Sequence, residues 1–89
     1  MRDTDTIDDP AALALRALVW TLGEPDRASR LLAVTGLDPA DLRARAGDPA
    51  VLAATLSFLE ANEADLVACA EELGVKPTVL VAARERLEA

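Results

Sequence analysis

Apolar side chains recur at intervals of three and four through most of the chain, the spacing of helices that each bury one face. In residues 25–35 the inner stripe is Ala28, Leu31 and Leu32, with Arg27 and Arg30 facing outward. In residues 49–60 it is Val51, Leu52, Leu56 and Leu59, with Phe58 beside them. Residues 63–73 set Leu66, Cys69, Ala70 and Leu73 on one side and Glu71 and Glu72 on the other, and residues 77–87 offer Val79, Leu80, Ala83 and Leu87. No segment alternates with period two between hairpin turns, so no sheet is predicted.

The punctuation of the pattern agrees with this. Pro10, Pro25, Pro39, Pro49 and Pro77 each follow a charged residue. A proline suits the first helical position, where its φ is preset and its missing N–H had no partner anyway. A preceding Asp can cap the free N–H groups of the first turn. Asp38 with Asp41 resembles a capping box, and Asn62 is a sixth candidate cap, with Glu63 and Asp65 facing the positive helix end. Gly23, Gly36, Gly47 and Gly74 lie where the apolar stretches stop, the place for a left-handed residue. The predicted helices are therefore 10–22, 25–35, 39–45, 49–60, 63–73 and 77–87. The fold class is all-α: a bundle of five or six short helices joined by short connections, forming one domain over residues 9–89. Residues 1–8 read as an acidic, mobile tail.

The first helix breaks the pattern. From Ala11 to Leu22 its only charge is Arg16, and Leu13, Leu15, Leu18, Val19, Trp20 and Leu22 point around most of its circumference. A helix apolar all round is enclosed by its neighbours or meets a partner. Two readings stay open: a central core helix, or an exposed stripe containing Leu13, Ala17 and Trp20 that forms a homodimer or partner surface.

Composition limits what such a bundle can do. The chain has 89 residues, 52% of them hydrophobic, two aromatics, no histidine, no tyrosine and a formal charge of −7. At this size the alanine-rich core is only marginally sufficient against chain entropy, so a dimer or permanent partner would help. The charge divides into −3 over residues 1–9, +1 over 10–45 and −5 over 46–89. An acidic surface repels phosphate, which weighs against nucleic acid and anionic membranes and leaves a protein partner as the favoured one. No apolar run reaches the roughly 20 residues of a membrane span. The acidic start lacks the basic and apolar regions of an export signal, so the expected location is cytoplasmic.

Catalysis is hard to build from these residues. General base work near neutrality has no histidine, and Ser29 and Ser57 lie inside helical patterns. The carboxylates Glu71 and Glu72 diverge on a helix. The group Glu60, Asn62, Glu63 and Asp65 lacks the ordered loop and turn glycine of a calcium site, so capping is the better account. No glycine-rich phosphate cradle occurs. The expectation is no enzyme, no cofactor and no metal. Cys69, between Leu66 and Leu73 on an apolar face, reads as a core thiol, with a redox role as the alternative. Arg27, Arg30, Arg43 and Arg45 are read as an ordinary solvated face or, alternatively, as a basic patch.

Residues 63–87, with the Leu73-Gly74-Val75 turn and the end Arg84-Glu85-Arg86-Leu87, look like a helix-turn-helix. Residues 63–88 carry six acids against three bases, however, and DNA affinity rests largely on neutralising phosphates. A DNA-binding regulator is therefore the alternative. The favoured reading is a non-catalytic interaction or regulatory module.

The run from Leu31 to Arg45 that contains Thr35-Gly36-Leu37-Asp38-Pro39-Ala40-Asp41-Leu42-Arg43, with Leu56-Ser57-Phe58-Leu59, Asn62-Glu63 and Leu73-Gly74-Val75-Lys76-Pro77, resembles a family of short alphaproteobacterial proteins of unknown function. The resemblance covers roughly residues 10–87. It implies a bacterial cytoplasmic setting and a stand-alone domain, and brings no activity, cofactor or catalytic residue.

Overall fold

The computed structural model describes residues 9–89. Six helices account for most of them: α1 (Pro10–Leu22), α2 (Pro25–Thr35), α3 (Pro39–Ala44), α4 (Pro49–Glu60), α5 (Glu63–Leu73) and α6 (Pro77–Glu88). No strand is present among the described residues. The segment expected to be a mobile tail, residues 1–8, lies outside them.

Where an Asp, Asn or Glu precedes a helix, it caps the first turn. The Asp9 carboxylate accepts from the N–H groups of Ala11 and Ala12, Asp38 from Asp41, Asp48 from Ala50, and Asn62 from Asp65. Glu24 fills the same role for Arg27. The bond from Ala50 and, behind it, the Arg45 guanidinium hold the Asp48 carboxyl below its usual pKa. Lys76 has no oxygen to offer, and α6 begins without a side-chain cap.

The stops are less uniform than predicted. Gly36 and Gly74 take φ of +74° and +75°, where an L side chain is strained. Gly23 and Gly47 do not adopt the left-handed conformation. Gly23 stays right-handed, its N–H donating to the Trp20 carbonyl, because the chain passes directly into the Glu24 cap of α2. Before Gly47 the last turn of α3 ends at Arg45, whose carbonyl accepts from the Asp48 N–H.

α4 is the hub. It packs against α1, α2, α5 and α6, and buries Val51, Leu52, Ala53, Thr55, Leu56, Phe58 and Leu59. α1 also touches four helices: α2, α4, α5 and α6. Its buried residues are Leu13, Ala14, Ala17, Leu18 and Thr21. Ala14 and Ala17 are fully enclosed, so α1 meets its neighbours through small side chains. Thr21 and Thr55 are buried without loss, since each hydroxyl donates to the carbonyl four residues back, of Ala17 and Val51. Leu31, Leu42, Cys69, Ala70, Leu80 and Ala83 complete the core.

Candidate functional site

The two readings of α1 resolve into a division of its surface. The face built on Ala14, Ala17, Leu18 and Thr21 is buried, while Leu15, Val19 and Leu22 remain 42%, 65% and 41% exposed. These three stand at positions i, i+4 and i+7, and so form one ridge along two turns. The stripe predicted from sequence had different members. Leu13 and Ala17 are in the core and do not form an exposed surface. Trp20 is half-buried, and the Arg27 guanidinium lies over its ring at 3.7 Å while donating to its carbonyl at 3.0 Å. The outward direction expected for Arg27 is thereby corrected: stacking on Trp20 draws it back over α1.

Hollows flank the ridge on both sides. On one side α1, α2 and α3 enclose a groove of about 330 Å³, walled by Leu15, Leu18, Val19, Leu22, Ala28, Leu32 and Leu42. Pro39 and Ala46 complete the apolar wall, and Arg43 is its one charged member. On the other side Leu15, Arg16, Val19 and Trp20 face Glu72 and Leu73 at the end of α5. There Arg16 donates to the Leu73 carbonyl at 3.4 Å, a cation placed at the negative end of a helix. A larger hollow, about 550 Å³, lies between the end of α2 and α4, but its arginine, Arg45, is committed to Asp48.

Arg43 could not be singled out as a groove residue from the sequence, because nothing local distinguishes it from Arg45. The ridge did leave a signal. In a helix apolar on every side, Ala14, Ala17 and Thr21 mark where backbones approach, and the large residues opposite are left to solvent.

The remaining candidates are absorbed by the fold. Cys69 is fully buried, and desolvation pushes its thiol up to about 11, partly countered by the charges of Arg27 and Arg16. A thiol so placed is neither ionised near neutrality nor able to reach a second chain, so the redox alternative finds no physical footing. In the group suspected of cation binding, Asn62 caps α5, Asp65 pairs with Arg30 at 3.3 Å and Glu60 pairs with Arg84. Of the four arginines considered as a patch, Arg30 and Arg45 sit in ion pairs and Arg27 sits on Trp20.

The helix-turn-helix segment is formed by α5 and α6, joined through Gly74. α6, however, packs against α1, α4 and α5 and buries Leu80 and Ala83. Arg84 is held by Glu60 and by Glu88, at 2.7 Å from the latter, and the Glu60 hydrogen bond raises its pKa further. This weighs against α6 as a projecting reader of DNA.

A family model described as a protein of unknown function, DUF3572, matches residues 7–89. The chain belongs to that family. Membership in DUF3572 spans all six helices, so both walls of the α1 groove lie within the shared region. No curated protein and no solved structure matches the chain. Among the described residues, no helix is long and apolar enough to cross a membrane.

Proposed function

We propose that the protein is a small, non-catalytic interaction or regulatory module, which docks a partner protein on the exposed ridge of α1 and the groove beside it. The observation that carries this reading is the ridge itself: Leu15, Val19 and Leu22 share one face and border an apolar hollow. Removing such a surface from water favours association in proportion to its area. The groove walls bring no nucleophile and no general base, which supports binding over catalysis. The resemblance of residues 10–87 supports a bacterial, specifically alphaproteobacterial, cytoplasmic setting as part of the same reading.

The test is site-specific photo-cross-linking in the native host. A photoreactive residue at position 19 should give a discrete adduct with one protein, while the same residue at the exposed Glu85 position on α6 should not. Equal, diffuse labelling at both positions would sink the proposal.

A further inference from the structure

The Arg43 guanidinium stands at the rim of the α1–α2–α3 groove with no ion pair and no hydrogen bond to any described residue. Its neighbours in composition are differently placed. Arg30, Arg45 and Arg84 pair with carboxylates, Arg27 covers Trp20, and Arg16 donates to a carbonyl. In a chain with sixteen acids, an exposed cation without a carboxylate partner borders an apolar groove.

Resting on the interaction reading above, we infer that the groove's occupant is an amphipathic helix of another protein, bearing a carboxylate beside its apolar stripe. The stripe lies along Leu15, Val19 and Leu22, and the carboxylate pairs with Arg43. A ridge of two turns matches the i, i+4, i+7 anchors by which amphipathic helices seat in grooves.

Charge separates this occupant from a second copy of the chain. α1 has no acidic residue from Pro10 to Leu22, and its one charge is Arg16. Two copies joined ridge to ridge would bring the cations Arg16 and Arg43 of each toward those of the other, with Glu72 the one acid lining either flank. An acidic helix does not meet that obstacle at the groove. The overall charge acts over distance and is screened beyond about 8 Å at physiological salt, whereas contact with Arg43 is not.

The test uses two labelled peptides of about four helical turns. Both carry leucines at the stripe positions; one has glutamates at the flanks and the other has lysines. Binding is followed by fluorescence anisotropy at about 0.15 M salt. Wild type should bind the glutamate peptide about fivefold more tightly than the lysine peptide, the scale of an exposed ion pair. Arg43→Glu should reverse that order, and Val19→Glu should abolish binding of both. Circular dichroism matching wild type shows that both variants fold.

Equal binding of the two peptides, both lost in Val19→Glu, overturns the acidic occupant while leaving the α1 ridge as a docking surface. Failure of both peptides to bind also overturns it, and the cross-linking test then decides separately whether the ridge meets a protein at all. A wild-type dimer in light scattering that Val19→Glu dissociates overturns it in favour of a second copy.

Discussion

At the scale of single residues, burial decides what each unusual side chain does. Cys69 shows this most directly. Its thiol is enclosed, and its pKa rises from 9.0 to about 11 because the thiolate would be desolvated. The folded chain therefore holds this proton more tightly than the unfolded chain. That contribution is complete below the unfolded pKa and is lost as pH climbs through the folded one, a change of about 2–3 kcal/mol. Denaturant titrations between the two pKa values should show wild type losing stability with a slope that Cys69→Ala lacks. At about pH 8 a thiol reagent should modify the native protein slowly and the unfolded protein at once. Rapid, stoichiometric modification of the native chain would contradict the buried position. The Trp20–Arg27 stack shows the same logic with the opposite outcome: a half-buried ring acquires a cation that the sequence pattern had assigned to solvent.

At the scale of helices, the ends are specified locally, and the prediction that follows is a contrast between two glycines. Gly74 ends α5 at φ +75°, and its N–H donates to the Glu71 carbonyl while that of Val75 reaches Ala70. Gly74→Ala should lower stability by about 1 kcal/mol or more, since an L side chain is strained there. Gly47 lies outside the positive-φ region, with open space where a methyl group would stand. Gly47→Ala should therefore be neutral or stabilise by up to about 1 kcal/mol. Thermal unfolding followed by circular dichroism separates them, and equal losses would refute the assignment. The starts of all six helices were legible because a proline or a capping oxygen acts within one turn, and the stops of α2 and α5 because Gly36 and Gly74 take positive φ; the ends of α3 and α6 each differ from the predicted ones by one residue. Which side of α1 is buried was not legible from periodicity, which needs contrast that α1 has no polar face to supply; the small residues Ala14, Ala17 and Thr21 were its one trace. Leu13 and Leu15 are chemically identical, yet one is in the core and the other is 42% exposed. Only the arrangement of α4, α5 and α6 around α1 distinguishes them, and that arrangement is set by contacts far apart in sequence.

At the scale of the whole molecule, the proposed function sets stability and recognition on different faces of the same helices, and two substitutions should separate them. Leu56 is fully buried at the centre of α4, which touches α1, α2, α5 and α6. Leu56→Ala removes packing from the hub and should destabilise by about 2–5 kcal/mol, a large share of the total for a domain this small. Because α4 links these helices, the loss should be global. Trp20 fluorescence, which reports on α1, and far-ultraviolet circular dichroism, which reports on all helices, should move to the same lower denaturant midpoint. Separate midpoints would show that α1 and its groove unfold independently of the hub. Val19 is 65% exposed on the ridge, so Val19→Glu should leave the midpoint within about 0.5 kcal/mol of wild type. It should nonetheless remove binding at the groove. A chain this short holds few apolar residues in reserve, and leaving Leu15, Val19 and Leu22 outside the core forgoes burial that would have stabilised it. A partner covering the ridge, as proposed, would recover that stability, because a ligand that binds only the folded state raises its stability by mass action. Saturation with the glutamate-flanked peptide should therefore raise the unfolding midpoint of wild type and of Leu56→Ala alike, and leave that of Val19→Glu where it was.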